Sequence, residues 1–227
     1  MHLTVKEGPP GYERELFEIR EVEDLVDLND CTVKEAPNVP ILNHQVEKIS
    51  ARKYFYKFDG ANAYSQVVLD EISRDLCTVR TPIGKIRPTR MVEGLCNAGT
   101  AFQDRMDTMF TVLPQRVRDD TLVYFDDING GVNDENALLY NLEHIFSCVA
   151  ASDVTLKPSK AKIGYPTTSF GGFSHGYGYR WLAQKHLQPI FDCLPPQNVA
   201  ELRRALGLFV QVGHFLKDFR IVAAPMT

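Results

Sequence analysis

Hydrophobic positions change period several times along the chain, and each change predicts an element. Pro40 followed by Ile41, Leu42, Val46 and Ile49 has the spacing of a short helix. Lys53 to Phe58 is aromatic-rich and alternates, which predicts a strand ending at Asp59. Leu76 to Arg80 and Lys85 to Thr89 flank Thr81-Pro82-Ile83-Gly84, and two short alternating runs around a Pro/Gly turn predict a hairpin. Thr100 and Gln103 stand in capping-box spacing ahead of Phe102, Met106, Met109, Phe110 and Leu113, the apolar stripe of a helix that stops before Pro114. Thr121 to Phe125 is a second apolar strand, closed by a turn at Asp126-Asp127.

Beyond that turn, Asn133 or Asp134 can cap a long helix whose apolar face is Leu138, Leu142, Ile145, Phe146 and Val149. Strand-like pieces follow at Val154 to Leu156 and Thr168 to Phe173, the second running into the Gly/aromatic segment Gly171 to Trp181. Asn198 with Glu201 caps a last helix carrying Leu202, Leu206, Phe209 and Val210. Hairpins alternate with helices, which predicts an α+β fold with antiparallel strands and excludes a βαβ series.

The 227 residues are 44% hydrophobic and 24% charged, the balance of an ordinary globular protein with one large domain or a few lobes sharing a core. No apolar run approaches the ~18 residues of a spanning helix, and Met1 to Pro10 has no secretory pattern, so no membrane partner and a cytoplasmic location are expected. The five cysteines (Cys31, Cys77, Cys96, Cys148, Cys193) are odd in number and contain no C-x-x-C pair, which argues against a disulfide framework or a zinc ribbon. The formal charge of −4 conceals an asymmetry. Residues 1–50 hold five of the 25 basic and eleven of the 29 acidic side chains, so any phosphate-binding surface is expected in the later part.

Asp59 ends one predicted strand and Asp126-Asp127 another. If the strands are neighbours, three carboxylates meet at one sheet edge, and two of them ~4 Å apart repel by roughly 4 kcal/mol at an effective dielectric near 20. Divalent metal, protonation or solvent exposure removes that repulsion, and hard oxygen donors select Mg²⁺ or Mn²⁺. The competing reading is that Asp126-Asp127 and Asp59-Gly60 are solvated turns. A calcium loop is excluded, because counting from Asp127 puts Val132 where glycine is needed and Leu138 where glutamate is needed. Tyr64 can floor a sugar pocket or simply pack in the core. Lys157, Lys160 and Lys162 form the densest basic cluster, either a solvated face or a phosphate contact. Gly172-Phe173-Ser174-His175-Gly176 matches the nucleophile-elbow pattern G-x-S-x-G, so a serine hydrolase at Ser174 is a remote rival; a glycine-rich hairpin suits the segment better.

Taken in order, these segments resemble the reverse transcriptases of gypsy-type LTR retrotransposons. Phe58-Asp59-Gly60-Ala61-Asn62-Ala63-Tyr64 resembles the first catalytic motif and Arg80-Thr81-Pro82-Ile83-Gly84 the hairpin after it. Gly94-Leu95-Cys96-Asn97-Ala98 with Ala101-Phe102-Gln103 is similar to the entry of the palm helix, and Tyr124-Phe125-Asp126-Asp127-Ile128 to the Y-x-D-D turn. Leu156-Lys157-Pro158-Ser159-Lys160 resembles the lysine motif, and Glu201-Leu202-Arg203, Leu206-Gly207-Leu208 and Ala223 to Thr227 resemble the region closing the polymerase part. The likeness runs from about Asp24 to Thr227, and the order and spacing carry it more than any single motif.

The resemblance implies a right-hand polymerase with an antiparallel palm sheet: fingers at 1–33 and 68–97, palm at 34–67 and 98–176, and a partial thumb at 177–227. It implies RNA-directed DNA synthesis from dNTPs on an RNA or DNA template with a primer, in the cytoplasm or in retrotransposon particles. Asp59, Asp126 and the Gly60 carbonyl would hold two Mg²⁺ (or Mn²⁺) ions with Asp127 in support, and Lys160 would protonate the departing pyrophosphate. Arg20 would grip the triphosphate; Gly60, Ala61, Ala63 and Tyr64 would receive the nucleotide, with Tyr64 excluding a ribose 2′-hydroxyl. Phe170 and Gly172 would contact the primer end. The chain departs from the family pattern at Val26 (a second fingers arginine), at Lys6 as the one nearby substitute for a fingertip lysine pair, at Val92-Glu93-Gly94 (Pro-x-Gly), at Gly99 (proline) and at Asn129-Gly130 (apolar). The rival of another class is a decayed, non-catalytic relic that folds and binds nucleic acid or a partner: Val26 and Glu93 favour it, intact Asp59, Asp126, Asp127 and Lys160 favour activity.

Overall fold

A computed structural model describes residues 2–5, 19–22, 25–36, 42–81 and 84–226. In chain order the elements are β1 (His2–Val5), β2 (Ile19–Val22), α1 (Val26–Cys31), α2 (Leu42–Ser50), β3 (Tyr54–Asp59), α3 (Glu71–Leu76), β4 (Val79–Thr81) and β5 (Gly84–Ile86). They continue with α4 (Ala98–Thr111), α5 (Gln115–Asp120), β6 (Thr121–Tyr124), β7 (Asp127–Val132), α6 (Glu135–Ala151) and β8 (Lys162–Tyr165). The last are β9 (Thr167–Phe170), β10 (Phe173–Gly176), β11 (Tyr179–Leu182), α7 (Gln184–Phe191), α8 (Val199–Val212) and α9 (Phe219–Ala223). No described helix is long and apolar enough to cross a membrane.

The central sheet has the order β6-β7-β3-β8 with every pairing antiparallel. Alternation sorts its two faces. Tyr56, Phe58, Ile128 and Val132 point to the back, where they pack on Phe102, Met106 and Phe110 of α4 and on Leu138, Leu142 and Ile145 of α6 in one buried cluster. On the front, Leu122 packs with Val46 and Ile49 of α2 and with Phe170 of β9. Farther along the same front face stand Lys57, Asp59 and Asp127, less covered.

A polar network closes the far end of the back face. The Tyr56 hydroxyl, shared with Thr121 Oγ1 at 2.7 Å, also receives a hydrogen bond from Asn141 Nδ2 at 3.3 Å. Asp120 is paired with Arg52 at 2.9 Å. Burial, against the lowering pull of the Thr121 and Asn141 hydrogen bonds, pushes the phenol of Tyr56 up to about 12, so it stays a neutral donor.

Capping follows the expected chemistry at two helices. Asp134 Oδ1 accepts the Ala137 N–H at 2.8 Å to start α6, and Asn198 Oδ1 accepts the Glu201 N–H at 2.9 Å to start α8, while the Glu201 carboxylate accepts from Asn198 Nδ2 at 2.8 Å and from the Gln197 N–H at 2.7 Å. At α4 the expectation fails. The helix begins at Ala98, and Thr100 and Gln103 lie inside it, both buried. The strand expected at Val154 to Leu156 reduces to one bridge between Leu156 and Gly60. The run Thr168 to Phe173 divides into β9 and β10, because Gly171 and Gly172 take left-handed φ values of 58° and 86° that a side chain would resist. The hairpin at 79–86 is shorter than its sequence suggests, since Leu76 ends α3; Pro82 and Ile83 lie outside the described residues.

A second sheet, β11-β10-β9, is also antiparallel. Its inner face carries Phe173 and Leu182, which pack with Val212 of α8. Ser174 sits in mid-strand, its hydroxyl 2.9 Å from that of Ser169, and the chain continues as β10 where a nucleophile elbow needs a helix. The hydrolase reading is withdrawn on that geometry.

Candidate active site

The carboxylates meet because of strand register. β3 and β7 pair with Asp59 directly opposite Asp127, and β6 and β7 pair with Tyr124 opposite Asp127, so the tight turn Phe125-Asp126 stands beside the end of β3. The Gly60 N–H donates to the Asp126 carbonyl at 2.7 Å, fixing the two segments main chain to main chain. The lysine segment is held the same way: Lys157 N–H donates to the Asp59 carbonyl at 2.8 Å and Ala61 N–H to the Thr155 carbonyl at 2.8 Å. Gln66 clasps both sides, its Nε2 donating to the Ala61 and Thr155 carbonyls at 2.5 and 3.0 Å while its Oε1 accepts the Thr155 N–H at 2.8 Å.

Phe125 adopts a left-handed φ of 52°, a strained conformation for a bulky residue. Its support comes from α4. Gln103 Oε1 accepts the Phe125 N–H at 2.6 Å and Gln103 Nε2 donates to Asp107 at 2.8 Å. The Phe125 ring lies over Gly99, where an added Cβ would stand 3.1 Å from Cε1. The glycine in place of the family's proline thus receives this ring.

Two ammonium groups answer the carboxylates. Lys160 Nζ lies 2.8 Å from Asp59 Oδ2, and Lys57 Nζ lies 3.1 Å from Asp127 Oδ1 and 3.7 Å from Asp59 Oδ1. Burial would raise the pKa of Asp59, but the hydrogen bond from Lys160 and the charge of Lys57 outweigh it and hold this carboxyl below its ordinary range. Burial dominates at Asp127 and, with the charge of Asp59, carries its pKa upward against the pull of Lys57. The hydrogen bond to Asp59 also raises Lys160, which is therefore an ammonium.

Tyr64 stands in a 3-10 turn, Ala63–Gln66, its ring edge-on to Phe102 with centroids 6.3 Å apart. Burial first, then the charges of Asp126 and Glu93, raise its hydroxyl pKa. Arg20 pairs with Thr4 in the β1–β2 ladder, and its side chain, like Lys6, falls outside the described residues. Phe170 is 3% exposed and its ring stacks edge-on to Tyr124, so the primer contact expected of it is not available to that side chain; Gly172, in the turn after it, is half-buried.

The donor set suits a hard cation: carboxylates, the Gly60 carbonyl, and an Asp59 Oδ1 that is buried without a hydrogen-bond partner among the described residues. Among the described residues no three acidic, histidine or cysteine side chains are already clustered as ligands, so the carboxylates would have to turn from their lysines to share a metal. Lys57, Gln66 and Gln103 are site residues that sequence reasoning missed. Lys57 had a signal, since period-two spacing puts it on the face of Asp59.

A family model described as reverse transcriptase (RNA-dependent DNA polymerase) matches residues 6–186. The chain belongs to the reverse transcriptase family. It is a domain of the gypsy retrotransposon type: relatives include the retrovirus-related Pol polyproteins from the transposons opus and gypsy of Drosophila melanogaster, 25% identical over 99% of this chain and 24% over 92%. This chain spans about a fifth of the length of those polyproteins, 22% and 20%. A foamy viral protease-reverse transcriptase in complex with double-stranded DNA has the same fold, with a TM-score of 0.81, 21% identity, and coverage of 99% of this chain and 38% of that one. Another, in complex with an RNA/DNA hybrid, gives 0.76 at 20% identity over 92% of this chain and 28% of that one.

Proposed function

We propose that this domain is an RNA-directed DNA polymerase that adds deoxynucleotides to a primer 3′-hydroxyl. The observation that carries the reading is the register placing Asp59 opposite Asp127, with Asp126 beside it and the Lys160 ammonium on Asp59. Asp59, Asp126 and the Gly60 carbonyl would hold two Mg²⁺ or Mn²⁺ ions, which supply Lewis-acid activation of the hydroxyl and neutralise phosphate charge. Asp127, turned toward Lys57, supports them. Lys160 carries its proton because Asp59 holds it there; delivering that proton to pyrophosphate requires the ammonium to leave Asp59 Oδ2. Tyr64, with Gly60, Ala61 and Ala63, forms the sugar side of the nucleotide site, and Arg20 takes the triphosphate.

In this reading residues 1–33 and 68–97 are fingers, 34–67 and 98–176 palm, and 177–227 a partial thumb, with the Gly172 turn against the primer end. The foamy viral neighbours, in complex with double-stranded DNA and with an RNA/DNA hybrid, support a primer–template partner.

Primer extension on an RNA template with Mg²⁺, run beside Asp126→Asn, tests the assignment. Extension that is abolished by the substitution is expected, and equal activity in both proteins would remove the metal mechanism. A second reading, a folded relic without synthesis, is favoured by Glu93 close to Tyr64 and by an exposed Val26 where the family has arginine. A native protein that binds primer–template yet extends nothing decides for it.

A further inference from the structure

Gln103 is fully buried in α4, and both ends of its amide are used. Its Oε1 accepts the Phe125 N–H at 2.6 Å and its Nε2 donates to Asp107 Oδ1 at 2.8 Å. A carboxamide can turn over about its last torsion, exchanging oxygen for NH2. Turned over, it would aim NH2 at the Phe125 N–H, donor against donor, and that peptide would lose its acceptor. Asp107 opposes the exchange. A carboxylate only accepts, so it keeps the NH2 end for itself and leaves the oxygen to the turn.

What the amide holds is the strained residue of the site. Phe125, at a φ of 52°, stands directly before Asp126. The main chain is fastened on either side of these two residues, at the Phe125 N–H by Gln103 and at the Asp126 carbonyl by the Gly60 N–H at 2.7 Å. Between the two fastenings lies the Asp126 Cα, and with it the direction in which that carboxylate leaves the chain. Without the first, Phe125 is free to relax toward negative φ and to carry Asp126 with it.

A glutamine and an aspartate four positions apart also steady a helix by themselves. Gln115 with Asp119 and Gln188 with Asp192 are pairs of that kind, at 2.8 and 2.9 Å, and both are exposed. Gln103 differs in being buried and in spending its oxygen on a peptide of another element, 22 residues on.

We propose that Asp107 is a positioning residue for catalysis: by fixing which end of the Gln103 amide meets Phe125, it holds the turn in the conformation that presents Asp126 to a divalent cation. This deepens the reading of Asp126 as a polymerase's metal ligand, on which it rests, and extends the site to a carboxylate that touches neither metal nor substrate. Asp107 lines a cavity of about 330 Å³ with Lys48, Thr111 and Arg118, so a substitution there opens on solvent and not on the core.

Asp107→Leu, Asp107→Asn, Gln103→Leu and the double variant Asp107→Leu with Gln103→Leu are compared with the parent chain. Three quantities are followed: hydrogen exchange of the Phe125 amide, Mn²⁺ binding, and primer extension on an RNA template. Asp107→Leu is expected to speed exchange at Phe125 about tenfold while the Ala61 amide is unchanged. It should weaken Mn²⁺ binding about fivefold and lower kcat about tenfold, with the dNTP KM within about twofold of the parent. Asp107→Asn, whose oxygen can still accept from Gln103, should keep most of all three. Gln103→Leu should match Asp107→Leu, and the double variant should lose no more than either single one, because Asp107 acts through Gln103. Asp107→Ala takes the place of Asp107→Leu if that protein does not fold. Unaltered exchange at Phe125 overturns the proposal. So does a lowered melting temperature with Mn²⁺ binding and kcat intact, or losses that add in the double variant, either of which makes the pair a helix-steadying one. A parent chain that extends nothing overturns the polymerase reading, while exchange and Mn²⁺ binding still decide whether Asp107 holds the turn.

Discussion

The ring of Tyr56 occupies the space that a side chain at Gly130 would need: a Cβ built there would lie 2.1 Å from Tyr56 Cζ. The two residues are direct partners across β3 and β7. Large ring and bare glycine form a matched pair, so a departure that looks like damage in β7 alone is compensated in β3.

Gly130→Val is therefore expected to destabilise the fold by about 3 kcal/mol, at the upper end for overpacking, measured by urea denaturation. The double variant with Tyr56→Ala should be at least ~1 kcal/mol more stable than the two single effects predict. Strict additivity would show that the two positions do not compete for space.

Asn129, the other half of the same departure, is fully buried and neither polar atom of its side chain has a partner among the described residues. Asn129→Leu restores an apolar group and is expected to raise stability by about 1 to 3 kcal/mol. A lowered denaturation midpoint would mean that the amide has a bonded role.

Lys57 stands between Asp59 and Asp127 as an internal counter-ion. Lys57→Met should lower stability without metal by roughly 1 to 3 kcal/mol, a range discounted for partial exposure. Added Mg²⁺ should then raise its melting temperature more than that of the parent protein. Equal metal-induced shifts in both would show that the lysine and the cation do not share these carboxylates.

Glu93 brings a negative charge to the neighbourhood of Tyr64. Glu93→Gln should tighten triphosphate binding by about 1 kcal/mol, read as a lower dNTP KM with kcat little changed. Weaker binding would assign Glu93 a useful partner in the nucleotide site.

His175 is fully buried between Ser50, 3.3 Å from its Nδ1, and the Phe170 carbonyl. Burial pushes its pKa down to about 4, with the Phe170 carbonyl opposing and Arg180 adding to the fall. The folded value lies below the unfolded ~6.5, so the unfolded chain binds the extra proton first. The contribution is whole above pH ~6.5 and is lost as pH falls toward 4. Urea midpoints measured across that interval should decline, and His175→Gln should flatten the decline; identical slopes would clear the imidazole of any part in it.

Asp59 and Asp126-Asp127 were legible in the sequence because each closes a strand, the first marked by alternation over Lys53 to Phe58 and the second by an unbroken apolar run over Thr121 to Phe125. Asp134 and Asn198 were legible for the same local reason, caps ahead of helices of 17 and 14 residues. Helices α3 and α5 have six residues each, too few to display a period, and were missed. Gln103 misled because capping-box spacing is also the spacing of neighbours on a helix face; its partner, Phe125, lies 22 residues on. Gly130 was illegible because its reason is Tyr56, a contact between strands 74 positions apart in sequence that no local pattern announces.

The acidic pair and the lysine loop are joined through Gly60 to Asp126, Lys157 to Asp59 and Ala61 to Thr155, all by peptide groups. Removing a carboxylate's charge therefore leaves every one of those ties in place. Amide-substituted proteins should superpose on the parent and serve as faithful inert decoys, able to capture a stalled complex without consuming it.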